Sequence, residues 1–282
     1  MDLSDINIIK RLLKKHGFSF SKALGQNFIV DPGVCPQMAE LSGINENSGV
    51  IEIGAGIGVL TKELAERAKK VVSFELDRRL LPVLGETLAG YGNAFIINED
   101  ILKTDPARLI NEEFGGMDVY VCANLPYYIT SPVIMLLLES RLPLESITVM
   151  VQKEAALRLT AHVGSRESGA VTVAVDYYAD AEMLFSVGRE AFFPRPKVAS
   201  AVIKLAVSKT PKYSPADEKL FFALVKAAFA QRRKTAVNAI SAGLGIPKEK
   251  IADALLNMGL GADIRAEKIR MDDLIKLSNF II

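Results

Sequence analysis

The sequence has 282 residues, half of them hydrophobic and about a quarter charged, which is typical of a folded protein of one or two domains and excludes a disordered chain. The formal net charge is only +1, so no overall charge excess indicates a polyanionic partner. Two cysteines exclude a disulfide scaffold and two histidines exclude a histidine-rich metal cluster, so we expect a cytoplasmic protein without a metal site.

In the first 208 residues, short apolar runs alternate with segments of helical length, which predict helices over 59–69, 77–89, about 105–113 and 131–140. The alternation indicates an α/β fold with an open, doubly wound parallel sheet. The closer spacing of the last strands, around a short loop region (181–197), predicts an antiparallel edge. The predicted strands are VIEI (50–53), VVSFE (71–75), AFIIN (94–98), DVYVCA (118–123), SITVMVQ (146–152), AVTVAVDYY (170–178) and SAVIKLAV (200–207).

One uncharged segment, residues 119–138, has the length of a membrane span. Asn124, two prolines and two hydroxyl residues interrupt its middle, whereas a span needs about 20 predominantly apolar residues in a continuous helix. We therefore interpret it as a buried strand, a polar loop and a helix.

The linker SKTPKYSP (208–215) separates two parts of opposite charge, with a net charge of −4 over residues 1–208 and +5 over residues 209–282. We place the domain boundary after residue 208. Helical apolar spacing over 219–231, 234–244, 248–259 and 272–280 predicts a small all-helical C-terminal domain.

A glycine-rich turn follows the first strand of the sheet, with Gly54, Gly56 and Gly58 opening the next helix. Glycines let the backbone turn tightly and approach a ligand, so Gly54 and Gly56 are candidate cofactor contacts. Glu75 ends the second strand, where a carboxylate can accept hydrogen bonds from ribose hydroxyls, and Asp100 follows the third strand, positioned for an adenine amino group. A plain strand-to-helix connection is the alternative for the glycines, and helix capping is the alternative for Asp100.

A nicotinamide cofactor is the competing interpretation of this turn. The dinucleotide fingerprint is G-x-G-x-x-G, but this chain has G-x-G-x-G followed by Val59. The acids at the ends of the first three strands, beginning with Glu52, resemble those of S-adenosylmethionine methyltransferases. We therefore favour S-adenosyl-L-methionine as the cofactor.

The fourth strand leads into Asn124-Leu125-Pro126-Tyr127, at the sheet edge where a cofactor is expected. The amine of adenine is a poor nucleophile because its lone pair is delocalised into the ring. The Asn124 side-chain oxygen and the Leu125 carbonyl could accept its two protons, while Pro126 stiffens the loop and Tyr127 stacks on the base. The alternative is an ordinary Asn-Pro turn with a core tyrosine.

Eight motifs together resemble the ribosomal RNA adenine dimethyltransferase family, most closely its KsgA/RsmA group. The motifs are LGQNFIVD (24–31), EIGAGIGVLT (52–61), FELD (74–77), the Asp100 position, NLPYYITSP (124–132), QKEAALRL (152–159), FFPRPKVASAV (192–202) and QRRKT (231–235). The resemblance implies a Rossmann-like methyltransferase sheet and dimethylation of two adjacent adenosines near the 3′ end of small-subunit (16S) ribosomal RNA. It places Asn27, Ile29, Gly54, Glu75, Asp100 and Asn124 around the cofactor. Asn98-Glu99 stands where the family often has a glycine, so the resemblance does not predict the conformation of the turn before Asp100.

Several basic and aromatic segments fit an RNA substrate. Residues 10–22 contain no acid, and their lysines are candidate phosphate contacts, with Phe18 and Phe20 either stacking on bases or buried. By resemblance, Phe192 faces Tyr127 across a flipped adenine and Phe193 belongs to the core, although the sequence leaves open which of the two stacks. The candidate RNA-binding residues are Lys14, Lys15, Lys22, Arg195, Lys197, Arg232, Arg233 and Lys234.

Three functions remain open from the sequence. The first is an adenine dimethyltransferase that acts, as a monomer, on the RNA of the small ribosomal subunit. The second is a macrolide-resistance methylase that acts on large-subunit RNA, and the third is a non-catalytic RNA-binding ribosome-assembly factor. The intact NLPY motif and cofactor carboxylates favour an enzyme. The amino-acid sequences of residues 152–159 and 192–198 favour a methyltransferase that acts on the small subunit.

Overall fold

The computed structural model describes residues 1–21 and 25–281, which form two compact units. Within the described residues, the first unit comprises 1–156 and 181–207. The second unit comprises 157–180 and the chain from Ser208 onward.

The first unit is built on a seven-stranded sheet. In spatial order its strands are β4 (Ala94–Ile97), β3 (Lys70–Phe74), β2 (Gly49–Ile53), β5 (Val119–Asn124), β6 (Leu144–Gln152), β9 (Ser200–Val207) and β7 (Ala179–Val187). From β4 to β6 each strand pairs in parallel with the next, whereas β9 pairs antiparallel with β6. The mixed sheet with an antiparallel edge is therefore confirmed.

The strand order reverses at β2, which lies between β3 and β5. All five residues of β2 are buried, as expected for a parallel strand covered on both faces. In such sheets the loops that leave the carboxyl ends of the strands around the reversal diverge and open a crevice. The turns after β2 and β5, which carry the glycines and the NLPY motif, lie at this point.

A separate two-stranded antiparallel ladder joins β1 (Phe28–Ile29) to β8 (Phe192–Phe193). The N-terminal helix α1 (Ile6–Lys15) begins where the Asp5 carboxylate accepts the Asn7 N–H at 2.7 Å, and it buries an apolar face that includes Leu12. The remaining helices that begin in this unit are α2 (Val34–Ser42), α3 (Val59–Ala65), α4 (Leu81–Thr87), α5 (Pro106–Glu113), α6 (Thr130–Glu139) and α7 (Lys153–Leu159).

The uncharged segment 119–138 contains strand β5, a short 3-10 turn and most of helix α6, as predicted. Among residues 1–21 and 25–281, no helix is long and apolar enough to cross a membrane.

Two predictions about the later elements are wrong. Residues 170–178 form helix α8 (Ala170–Tyr178) rather than a strand, because Val173 and Tyr177, four positions apart, both bury in the helical core of the second unit. The Gly169 N–H donates to Thr172 Oγ1 at 2.9 Å at the start of this helix. Tertiary burial thus overrides the β-branched composition of the segment.

Strand β7 covers residues 179–187 and so occupies much of the segment 181–197 that the sequence suggested was a loop. Its sequence, ADAEMLFSV, includes Asp180 and Glu182, and both side chains are exposed. β7 is the last strand of the sheet, and only its first and last residues are fully buried, so its apolar run is short.

The second unit contains the predicted helices α9 (Glu218–Phe229), α10 (Ala236–Leu244), α11 (Lys248–Asn257) and α12 (Met271–Phe280). Asp217 and Thr235 cap α9 and α10 by accepting the N–H groups of Leu220 and Asn238. Phe221 and other apolar side chains of these helices form its core.

The predicted domain limits need one correction, because residues 157–180 belong to the second unit, whereas the sequence placed them before the boundary at residue 208. Their helix α8 supplies Val173 and Tyr177 to the core of that unit. With this segment included, the second unit has 15 Lys and Arg against 11 Asp and Glu, a net charge of +4. Its basic character therefore survives the correction.

Candidate active site

A cavity of about 300 Å³ opens in the first unit beside the carboxyl ends of β2, β3 and β5. It gathers residues from the N-terminal arm, the glycine turn, the NLPY loop and β8. Every residue that the sequence assigned to the cofactor or to the target amine lines it: Asn27, Ile29, Gly54, Gly56, Glu75, Asp100, Asn124, Leu125, Pro126, Tyr127 and Phe192.

The glycine turn forms the floor of the cavity. Gly54 and Gly56 have φ angles of +85° and +59°, a region that other residues rarely adopt. The Gly54 N–H donates to the Phe74 carbonyl at 2.8 Å, which ties the turn to the end of β3. A side chain at Gly56 would meet the Phe28 ring at 3.4 Å, so glycine keeps the space above the turn open.

The Glu75 carboxylate is held in place by two backbone donors. Its Oε2 accepts the Gly56 N–H and its Oε1 accepts the Asp77 N–H, both at 2.8 Å. Burial raises the pKa of Glu75, while these two hydrogen bonds act in the opposite direction. Each oxygen retains acceptor capacity for a ligand in the cavity.

A second carboxyl group, Glu52, is buried at the end of β2 and also lines the cavity. Its Oε2 accepts the Ser73 hydroxyl at 2.5 Å across the β2–β3 pair. Burial raises the pKa of Glu52 to about 7, although the hydrogen bond from the Ser73 hydroxyl partly offsets this rise.

Asp100 both lines the cavity and caps the short turn that follows it, where its Oδ1 accepts the Leu102 N–H at 3.1 Å. The capping alternative and the cavity position thus coexist. The turn that the sequence left open is held by Asn98, whose side-chain amide donates to the carbonyls of Glu75 at 2.7 Å and Leu76 at 3.3 Å.

The NLPY loop continues directly from β5. Asn124 is the last residue of the strand and pairs with Met150, whose carbonyl accepts the Leu125 N–H at 3.1 Å. The hydroxyl of Tyr127 lies 3.0 Å from Ser200 Oγ, which fixes the ring at the cavity wall. The loop therefore presents one amide, one carbonyl and one aromatic face from a rigid support.

The two phenylalanines of β8 differ in their surroundings. Phe192 is buried and lines the cavity, whereas Phe193 is half-buried and packs on Phe20 with ring centroids 5.4 Å apart. Lys10 Nζ lies 5.3 Å from the centre of the Phe193 ring. Phe192 and Tyr127 thus share the cavity, and their stacking on a base stays a prediction.

Of the eight predicted RNA-binding residues, Lys22 lies outside the described residues, and the other seven do not line the cavity. Lys14 and Lys15 are exposed on α1, where Lys15 Nζ lies 2.8 Å from Glu86. Arg195 and Lys197 are exposed beyond β8, and Arg195 lies 3.6 Å from Glu190. The remaining three, Arg232, Arg233 and Lys234, are exposed in the turn between α9 and α10.

The aromatic residues of the arm take the buried alternative. Phe18 and Phe20 are half-buried and pack against Phe28, with ring centroids 6.1 and 5.3 Å from it. The expectation that they stack on unpaired bases therefore has no support from their positions.

The cavity is also lined by residues that the sequence did not assign to the site, among them Gln26, Leu76, Leu102 and Tyr128. Leu76 and Leu102 are 50% and 36% exposed, and they present apolar surface next to Glu75 and close to Asp100. In the sequence, Leu76 directly follows Glu75 and Leu102 comes two residues after Asp100, and these positions could have indicated them. Gln26 belongs to the motif LGQNFIVD (24–31).

Comparison with known proteins gives a consistent family. The family model described as ribosomal RNA adenine dimethylase matches residues 17–282. A ribosomal RNA small subunit methyltransferase A of Bacillus cereus (strain B4264) is 46% identical over 285 residues, covering 100% of this chain and 98% of the relative.

Two solved structures share the fold over most of the chain. A dimethyladenosine transferase from Plasmodium falciparum has a TM-score of 0.72 and 26% identity, covering 89% of this chain and 95% of that one. The 23S rRNA methyltransferase ErmE has a TM-score of 0.69 and 27% identity, covering 90% and 99%. With its sheet, its cavity and a family match over nearly its whole length, the chain is a methyltransferase that belongs to the ribosomal RNA adenine dimethylase family.

Proposed function

We propose that this protein uses S-adenosyl-L-methionine to dimethylate the exocyclic amines of two adjacent adenosines near the 3′ end of small-subunit ribosomal RNA, in ribosome biogenesis. One observation carries the proposal: the residues suited to the methyl donor and those suited to an adenine amine line the same cavity. Action as a monomer is part of this proposal and stays a prediction.

The cavity suits the donor chemically. Glu75 has acceptor capacity left for ribose hydroxyls, and Leu76 and Leu102 offer apolar surface to a purine. Gly54 and Gly56 leave the room that side chains would fill. S-adenosylmethionine, when bound, supplies an electrophilic methyl group.

The NLPY loop suits the target amine. The Asn124 side-chain oxygen and the Leu125 carbonyl accept the two N–H protons of the adenine amine, which favours a pyramidal, more nucleophilic nitrogen in the transition state. Tyr127 and Phe192 hold the faces of the flipped base. No strong general base is required, since the nitrogen loses its proton after it has become cationic.

RNA contact is assigned to cations that the sequence singled out. Lys14 and Lys15 of the arm, together with Arg195 and Lys197, are exposed and would meet phosphates around the target. Arg232, Arg233 and Lys234 would do so from the basic second unit, whose net charge is +4. Lys22, outside the described residues, is assigned the same role from the sequence alone.

The similarities favour the small subunit over the large one. The relative named for the small subunit is 46% identical, whereas the 23S rRNA methyltransferase is 27% identical. The non-catalytic alternative is disfavoured because an RNA-binding protein has no need of a cavity with intact NLPY and cofactor carboxylates.

The proposal is tested by incubating the protein with labelled methyl donor and with ribosomal subunits from a strain that lacks this modification. We expect dimethyladenosine at two neighbouring positions of small-subunit RNA, with the monomethyl form transient. Label in large-subunit RNA would support the macrolide-resistance alternative. Subunit binding without methyl transfer would support the assembly-factor alternative.

A further inference from the structure

Gln26 connects the N-terminal arm to the end of β3 through its side chain. Its Oε1 accepts the Ser21 N–H at 2.9 Å, and its Nε2 donates to Asp77 Oδ2 at 2.7 Å. The second bond joins segments 51 positions apart in the sequence. Gln26 lies next to Asn27, and both residues line the cavity.

Asp77 is a firm support for this bond because its side chain is only 4% exposed and is held by an arginine. Arg79 donates through Nε to Oδ1 at 2.8 Å and through Nη2 to Oδ2 at 2.7 Å. The Arg79 guanidinium also lies 5.2 Å from the centre of the Phe18 ring, a second contact with the arm.

Asp77 also holds the carboxylate of Glu75, which is assigned to the cofactor. The Asp77 N–H donates to Glu75 Oε1 at 2.8 Å, while the Asp77 carboxylate receives Gln26. Asp77 therefore links Gln26 of the arm, through its side chain, to Glu75, the residue assigned to the donor ribose, through its backbone N–H.

We propose that Gln26 and Asp77 are positioning residues for the methyl donor: their hydrogen bond fixes the position of Asn27 of the arm relative to Glu75 in the cavity. This inference rests on the proposed function, because it assigns the cavity to the donor. The pair holds together the segments that contact the donor, and its effect falls on donor affinity rather than on methyl transfer.

The test exchanges the hydrogen-bonding groups of positions 26 and 77 between the two residues. The affinity of each variant for S-adenosylhomocysteine, the demethylated product, is measured by calorimetry. Gln26→Glu sets a carboxylate against Asp77, and we expect affinity to fall at least tenfold. Asp77→Asn alone weakens the support and should also lower affinity. In the double variant, the amide at 77 donates to the carboxylate at 26 and one carboxylate remains beside Arg79, so most of the lost affinity should return.

Glu86→Gln is the matched control. It removes the negative charge that Lys15 and His16 contact, both at 2.8 Å, and so weakens the hold on the arm at a point that does not line the cavity. Its affinity should match the wild type. In steady-state assays, Gln26→Glu should raise the KM for the donor and leave kcat at saturating donor nearly unchanged.

Unchanged affinity in Gln26→Glu, or a loss that the double variant does not recover, would overturn the inference. If Gln26→Glu unfolds in a thermal melt, the milder Gln26→Ala takes its place, and unchanged affinity there is equally decisive. A wild type that does not bind the product, or one whose binding ignores Glu75→Ala, would overturn the proposed function itself. Normal wild-type binding with insensitive Gln26 variants would overturn only the present inference.

Discussion

Ile29 and Phe192 are directly paired in the antiparallel ladder between β1 and β8. Ile29 belongs to the arm segment assigned to the donor, and Phe192 is assigned to the target base. The two assigned binding regions are thus adjacent along one pair of hydrogen-bonded strands, and both residues line one cavity. A base and a donor bound there would be held by the same small piece of backbone.

The different surroundings of Phe192 and Phe193 predict which of them grips the base. Phe192→Leu retains apolar volume but loses the ring, and stacking on a base is worth about 1–3 kcal/mol. We expect kcat/KM for the ribosomal substrate to fall about tenfold or more. Phe193→Leu is the matched control, since Phe193 packs on Phe20, and it should change kcat/KM much less. A reversed order would assign stacking to Phe193.

Glu75 is predicted to determine donor affinity. Glu75→Ala removes a charge-assisted hydrogen bond to the donor, worth about 1.5–3 kcal/mol, and leaves the N–H groups of Gly56 and Asp77 without their acceptor. Calorimetry with the donor or its demethylated product measures the loss. Unchanged affinity, or tight binding of NADH by the wild type, would contradict the assignment.

Asn124 is predicted to act in the transition state. Asn124→Ala removes one acceptor for the target amine, and by analogy with the loss of one preorganised hydrogen-bonding group, turnover should fall about 100-fold or more. Because Asn124 is also assigned to the cofactor, the assay is run at saturating donor. Turnover within a fewfold of the wild type would show that another group holds the amine.

Much of this site could be predicted from the sequence because its signals are local. A glycine turn after a buried strand, acids at or just after strand ends and a polar break in an apolar segment each follow from short stretches of chain. Parallel strands then bring their carboxyl ends to one edge of the sheet, so Glu75 and Asn124 line the same cavity although they are distant in the sequence.

The features that the sequence did not predict depend on packing between segments that are far apart in the chain. Residues 170–178 have the composition of a strand, but the core of the second unit buries Val173 and Tyr177 at helical spacing. The hydrogen bond between Gln26 and Asp77 has no sequence signature, since it depends on where the arm passes the turn that follows β3. The burial of Phe18 and Phe20 against Phe28 likewise depends on the path of the arm.

Glu52 predicts a pH dependence of stability. Its pKa rises from 4.5 to about 7 on folding because the carboxyl is buried, so the folded chain binds more protons than the unfolded chain within this window. Raising the pH from 4.5 through 7 therefore destabilises the fold through this group, by an amount on the order of 3 kcal/mol. Glu52→Gln lacks this titration and can still accept the Ser73 hydroxyl.

Urea unfolding of wild type and Glu52→Gln at pH 5 and pH 8 measures this effect. The variant should gain stability relative to the wild type at pH 8 and not at pH 5. A stability difference between the two proteins that is the same at both pH values would show that Glu52 ionises normally.

The exposed cations of the turn between α9 and α10 are predicted to bind ribosomal RNA. Reversal of Arg232, Arg233 and Lys234 to Glu should weaken binding to small-subunit particles and flatten its salt dependence by roughly one unit of slope per lost phosphate contact. Donor affinity should hardly change, because none of the three lines the cavity. The control reverses Lys219, Lys226 and Lys248, which are also exposed in this unit, so the change in net charge is the same. Equal losses in both triple variants would mean that overall charge, and not this turn, attracts the RNA, while intact binding in the first would leave the cluster without a role.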